Sequence, residues 1–190
     1  MKLPIALSNR HMHLSKEHIE TLFGEGYELT HFKDLSQPGQ FACQEKVDII
    51  GPKGSLKGVR VLGPARKSTQ IEVSYADARV LGLDAPVRES GDIKGSPGAK
   101  LIGPKGEVDL EEGIIIASRH IHMSLKDAEA FGVKDMEIVN VETHGDRGVV
   151  FKNVLVRAHE NFALEMHVDL EEGNAAGVAN GEMVELVKLG

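Results

Sequence analysis

PIALSNRHMHL, residues 4–14, and GIIIASRHIHM, residues 113–123, are two copies of one segment, aligned without a gap at an offset of 109 residues. Each runs from an apolar stretch into Arg-His-x-His and a further apolar residue. The first copy supplies Arg10, His11, His13 and Leu14; the second supplies Arg119, His120, His122 and Met123. A serine follows each copy, Ser15 and Ser124, and then a short helical pattern, residues 16–23 and 125–131, that stops at Gly24 and Gly132. Serine accepting a first-turn amide and glycine just past the last turn are ordinary helix punctuation.

A second pair of matches lies further along. Residues 59–83 (VRVLGPARKSTQIEVSYADARVLGL) align with residues 154–178 (VLVRAHENFALEMHVDLEEGNAAGV) at an offset of 95. Ser74 falls opposite Asp169 as a helix cap, and Asp77 and Glu172, three residues on, complete capping-box patterns. Two residues before the caps, Glu72 falls opposite His167. The chain is thus a duplication. Residues 1–95 form the first half, residues 96–112 a linker hairpin and residues 113–190 the second half. The extra residues between the two matched stretches of the first half are readily placed in a longer loop.

Apolar and alternating runs bounded by turn residues predict strands over 5–8, 47–50, 58–62, 70–73, 114–118, 137–142, 149–157, 163–168 and 183–187. The expected fold is mainly β, with two small β-barrels related by internal duplication and capped by short α-helices. GPKG occurs twice, at residues 51–54 and 103–106, each after a strand-like run. A glycine-rich loop can cradle phosphate, but with no helix following, these read as plain β-turns.

Composition narrows the function. With aromatics at 4% and no Trp, the core must be built from Val, Ile, Leu and Ala, and 21 glycines suit short strands joined by tight turns. A net charge of −7 with no basic run argues against nucleic-acid binding. No apolar stretch reaches the ~18 residues of a membrane span. A lone Cys43 excludes an internal disulfide framework and fits a reducing, cytoplasmic setting. Cys43 as a nucleophile is the alternative to Cys43 as a small buried hydrophobe.

The duplicated histidines carry the chemistry. Residues i and i+2 of a strand share a face, so His11 and His13 can converge on one metal ion, as can His120 and His122. Neutral imidazole suits zinc and other divalent transition metals. Glu72 and His167 offer each half one more ligand. Three protein ligands leave coordination positions open, which is the catalytic arrangement. Two such sites in one cleft would form a dinuclear centre. The remaining histidines, His18, His31, His144 and His159, read as surface or capping residues. Arg66 lies in GPARKST, residues 63–69, with Ser68 and Thr69; its counterpart in the second half is Asn161. A guanidinium in such a turn matches phosphate oxygens in bidentate fashion; a solvated basic loop is the plainer alternative.

NRHMH (9–13), GPARKSTQIEVS (63–74), SRHIH (118–122) and ALEMHVDLEEGNAAG (163–177), in this order, resemble the PduL-type phosphate acyltransferases, the phosphate propanoyltransferases. The likeness covers residues 4–187. It implies an enzyme interconverting a short-chain acyl-CoA plus phosphate with acyl phosphate plus CoA. It implies two β-barrels around a two-zinc site, with the N-terminal strand exchanged into the second barrel. By resemblance, one zinc is held by His11, His13 and Glu72 and the other by His120, His122 and His167. Arg66 matches the family's phosphate-positioning arginine. Ser8, Lys33, Arg60, Leu62 and Asn174 match its CoA contacts. No microcompartment-targeting extension precedes Pro4, which again points to the cytoplasm.

Two rivals stand beside this reading. A two-metal hydrolase would ordinarily carry several Asp ligands. A structural or storage zinc protein would close each site with four ligands and leave Arg66 idle. The expected partners are acyl-CoA or CoA and phosphate or acyl phosphate, and the sequence is compatible with a homo-oligomer.

Overall fold

The computed structural model describes residues 1–187. The first part of the chain forms β1 (Lys2–Ser8), β2 (His11–His13), α1 (Lys16–Phe23), β3 (His31–Asp34), β4 (Phe41–Ile50), β5 (Ser55–Gly63), β6 (Gln70–Glu72), α2 (Tyr75–Leu81) and β7 (Val87–Arg88). A hairpin follows, β8 (Ala99–Ile102) and β9 (Glu107–Leu110). The last part forms β10 (Ile114–Ala117), β11 (His120–Met123), α3 (Leu125–Phe131), β12 (Ile138–Glu142), β13 (Val150–Ala158), β14 (Glu165–Asp169), α4 (Leu170–Ala176) and β15 (Met183–Val187). The fold is mainly β, and no helix among the described residues is long and apolar enough to cross a membrane.

These elements form two compact units that cut across the sequence halves. One contains residues 1–9, 36–38 and 118 onward. Its strands close into a barrel in the order β1-β14-β11-β13-β12-β15. Alternation dictates the facing: in β14, Met166 and Val168 are buried while Glu165, His167 and Asp169 are not fully so. Leu3, Ile5, Ile121, Met123, Val154, Val156, Met166 and Val184 fill the interior. Each such side chain contributes about 1.5–3 kcal/mol on burial.

The other unit contains residues 10–35 and 39–117. It is an open nine-stranded sheet in the order β7-β10-β6-β2-β5-β4-β8-β9, with β3 paired to β4. It is a half-barrel, ending at one edge in the two-residue strand β7. Met12, Leu22, Val47, Ile49, Val61, Ile71, Leu81, Leu101 and Ile114 form its core. Residues 96–112 are part of this sheet: β8 pairs with β4, and Leu101 is fully buried.

The duplicated strands β1 and β10 change places. β1, from the first copy, runs parallel to β14 with Ile5 beside Met166. β10, from the second copy, runs parallel to β6 with Ile114 beside Ile71. The two registers are related by the offsets of 109 and 95 residues read in the sequence.

The helices are short and depend on their ends. Ser74 with Asp77, Ser124 with Asp127, and Asp169 with Glu172 form complete capping boxes, while Ser15 caps α1 at the amide of His18. Loss of one cap costs about 1 kcal/mol. The GPKG stretches are turns that close helix C-termini. Lys53 donates its amide to the Leu81 carbonyl at the end of α2, and Lys105 donates to the Leu22 carbonyl near the end of α1. A side chain at Gly51 or Gly103 would collide with those carbonyls.

Candidate metal centre

Strand alternation puts both His-x-His pairs on the faces opposite the cores. Met12 and Ile121, the residues between the histidines, are fully buried in their respective cores. The flanking imidazoles therefore lie on the outer face of each sheet.

In the barrel unit, β11 lies between β13 and β14. His120 is paired with His167, and His122 with Glu165. Ligand atoms of His120, His122 and His167 all lie within 4.8 Å of one another, so this triad could hold a metal ion. His120 Nδ1 lies 2.9 Å from the Ser118 carbonyl oxygen. If Nδ1 carries the proton, Nε2 is left as the lone-pair donor. His122 is 9% exposed, and its Nδ1 is buried without a hydrogen-bond partner. Burial, with the neighbouring His120, His167 and Arg157, pushes its pKa down to about 2. It is thus neutral, as a ligand must be. Phe162 packs edge-on against its ring at 4.5 Å. His167 Nε2 lies 3.2 Å from Glu165 Oε2. Glu165 in turn accepts a hydrogen bond from Ser36.

The half-barrel unit repeats this layout. β2 lies between β5 and β6, with His11 paired to Glu72 and His13 to Gln70. Glu72 therefore stands at the register position of His167, and Gln70 at that of Glu165. His11 Nε2 lies 3.4 Å from Glu72 Oε2. The His11 and His13 rings meet edge-on at 5.4 Å. His13 is 2% exposed, and its Nδ1 is buried without a hydrogen-bond partner. The Leu62 backbone also acts on the ring. Burial, followed by the charge of Arg66 and the neighbouring His11, pulls its pKa down to about 3 against smaller opposing effects of Glu72 and that backbone. Among the described residues the barrel triad alone draws three ligand atoms inside 4.8 Å; His11, His13 and Glu72 are drawn together pairwise.

An unpartnered buried nitrogen costs on the order of 1–3 kcal/mol in desolvation. One such atom occurs in each His-x-His pair, on a ring held neutral, next to other donors suited to zinc. The barrel triad could hold a metal ion, and the half-barrel unit offers donors of the same kind in His11, His13 and Glu72.

The arginine of each copy ties its histidine strand to a helix start. Arg10 bonds Asp77, the capping acid of α2. Arg119 Nε lies 2.7 Å from Glu172 Oε1 of α4. Arg66 lies beside β2: its amide donates to the Leu14 carbonyl at 2.9 Å, and its charge is felt at His13. Thr69 holds the same loop, accepting from the Ser15 amide at 3.0 Å and meeting His18 Nδ1 at 2.7 Å. His18 is therefore a half-buried partner of the Arg66 loop rather than a surface residue.

The CoA candidates divide between the units. Lys33 and Leu62 lie in one row across the sheet, each beside Ala42. Arg60 lies next to His11 in register. Its guanidinium bonds the carbonyls of Cys43 and Gln44 and sits 5.0 Å over the Phe32 ring. Ser8, the last residue of β1, and Asn174, exposed on α4, belong to the barrel unit.

Sequence reasoning passed over Gln70, Ser90 and Glu165. Glu72 Oε1 accepts hydrogen bonds from Gln70 Nε2 at 2.8 Å and from Ser90 Oγ at 3.0 Å. The signal for Gln70 and Glu165 was present: they align at the 95-residue offset and precede Glu72 and His167 by one strand repeat. Nothing local marks Ser90.

The family profile described as phosphate propanoyltransferase matches residues 4–179. A phosphate propanoyltransferase of Thermotoga maritima is 57% identical over 97% of this chain and 88% of its own length. That of Listeria monocytogenes is 50% identical over 97% and 86%. That of Clostridioides difficile is 49% identical over 98% and 89%. On this evidence and the duplicated histidine layout, the chain belongs to the phosphate propanoyltransferase family.

Proposed function

We propose that this chain interconverts a short-chain acyl-CoA plus phosphate with acyl phosphate plus CoA, by direct attack of phosphate on the thioester. The observation that carries the reading is the repeated outward-facing ligand set. Each copy ends in a neutral, buried imidazole whose nitrogen has no hydrogen-bond partner. His11, His13 and Glu72 would hold one zinc ion, and His120, His122 and His167 a second; the duplicated ligand sets and the family resemblance support a dinuclear reading. Bound zinc supplies Lewis acidity toward a carbonyl oxygen and a partner for a thiolate.

The chain's own residues bind and orient. The Arg66 guanidinium holds two phosphate oxygens in its fork and leaves a third to face the thioester carbon. That oxygen forms the new O–C bond, the C–S bond breaks, and the electron pair leaves on the CoA sulfur. Lys33 and Arg60 offer cations to the phosphates of CoA; Ser8, Leu62 and Asn174 complete the contacts implied by the resemblance. No acyl-enzyme is needed. Cys43 is fully buried in the half-barrel core, and burial, with the nearby Glu45 charge, pushes its thiol up to about 11.

Release of CoA from propanoyl-CoA should require phosphate and yield an acyl phosphate that hydroxylamine traps. Free acid formed at the same rate without phosphate would establish a hydrolase instead. Acetyl- and butanoyl-CoA in the same assay define the acyl preference.

A further inference from the structure

We infer that Ser90 and Gln70 are positioning residues that hold Glu72 by one carboxylate oxygen and so set the metal affinity of the half-barrel site; this rests on reading Glu72 as a ligand. The three side chains form a closed triangle. Gln70 Nε2 donates to Glu72 Oε1 at 2.8 Å and to Ser90 Oγ at 2.8 Å. Ser90 Oγ donates onward to the same Glu72 Oε1 at 3.0 Å. The hydrogens account for every bond, since a primary amide has two to give and a hydroxyl has one while still accepting. The amide cannot turn over, because Gly91 donates its backbone N–H to Gln70 Oε1 at 2.7 Å.

Glu72 Oε1 is thereby occupied by two donors. Glu72 Oε2 is the oxygen turned to His11, 3.4 Å from Nε2. The carboxylate is presented through one oxygen in a fixed direction. Gln70 is 3% exposed, while Glu72 and Ser90 are half-buried.

The chain delivers Ser90 by a specific route. β7 pairs with β10 at the sheet edge, Val87 beside Ile116 and Arg88 beside Ala117. The turn after it is closed by the Asp92 amide on the Glu89 carbonyl at 3.0 Å and by the Arg88–Asp92 ion pair at 2.9 Å. This short edge strand and its SGD turn bring a hydroxyl 18 residues downstream back onto Glu72. The barrel unit is built differently at this place: Glu165, not an amide, stands at the position of Gln70.

The test is competitive zinc titration of the full chain against a chromophoric chelator, with Ser90→Ala, Ser90→Thr and Glu72→Ala beside the wild type. Losing an outer partner of a ligand typically weakens metal binding about 10- to 100-fold. Ser90→Ala should weaken one zinc equivalent by about that factor, the same equivalent that Glu72→Ala removes, and leave the other unchanged. Ser90→Thr, which keeps the hydroxyl, should restore the affinity. Cobalt substitution gives a second readout, with a shifted d–d spectrum in Ser90→Ala and the wild-type spectrum in Ser90→Thr. If Ser90→Ala binds both equivalents as tightly as wild type, or if Ser90→Thr is as weak as Ser90→Ala, the clamp is overturned while Glu72 stands as a ligand. If Glu72→Ala itself retains both equivalents, the ligand assignment falls and the inference with it.

Discussion

Acidifying the metal-free protein from about pH 7 to about pH 5 loads protons onto unfolded histidines but not onto His13 or His122. Their folded pKa values are held down to about 3 and about 2 by burial and by neighbouring charge. The unfolded chain, with imidazoles near 6.5, binds those protons freely. A depressed imidazole pKa therefore gives stability that is complete above about 6.5 and is lost as pH falls toward the folded values. Over the interval from pH 7 to pH 5 the loss is about 2 kcal/mol per histidine. If the units unfold together this approaches about 4 kcal/mol, a large part of the ~5–15 kcal/mol typical of a whole domain. Zinc bound by the same nitrogens, as proposed, would raise stability across the interval by mass action. The assay is urea unfolding followed by far-UV circular dichroism at both pH values, with and without zinc. His13→Gln and His122→Gln should each remove about 2 kcal/mol of the pH dependence. Equal stability of the metal-free wild type at both pH values, or an undiminished drop in the double variant, would refute the reasoning.

Three further predictions follow from the site. Arg66→Ala should lower turnover by at least about 100-fold, the scale of losing one strong transition-state donor, and Arg66→Lys should rescue only partly; zinc content should stay at the wild-type level, and near-normal turnover with an unchanged phosphate KM would remove Arg66 from the mechanism. Labelled CoA should not exchange into acyl-CoA when phosphate is absent if attack is direct, as proposed; rapid exchange would demonstrate an acyl-enzyme. Cys43 should resist iodoacetamide in the native protein at neutral pH, since burial keeps it a thiol, and activity lost in step with its alkylation would reopen it as a nucleophile.

Where a signal was local or duplicated, it was legible before the fold was known. The His-x-His pairs, the caps at Ser15, Ser74, Ser124 and Asp169, and the glycine stops are set by neighbours within a few residues. The equivalence of Glu72 and His167 was legible because the 95-residue offset aligns them, each two residues before a helix cap, and strand register places them alike. Long-range pairing was not legible. Nothing in PIALS or GIIIAS distinguishes which sheet edge each strand will complete, because a short apolar strand satisfies either edge equally well. The same limit hid where the half-barrel ends, at an edge strand as short as Val87–Arg88. It also hid the ion pair from Arg10 to Asp77, 67 residues away, and the approach of Ser90 to Glu72. His18 looked like a surface residue because its partner, Thr69, lies 51 residues downstream.

The central claim is most directly tested by measuring metal content and phosphate-dependent CoA release on the same samples. Protein stripped with chelator is titrated with zinc, and each point is assayed with propanoyl-CoA in the presence and absence of phosphate. Activity should be lost on stripping, return as zinc is restored and saturate at two equivalents per chain, with acyl phosphate as the product at every active point. His120→Ala should saturate at one equivalent and remain inactive. Full phosphate-dependent activity in the stripped protein, or CoA release that is indifferent to phosphate when both equivalents are bound, would contradict the account.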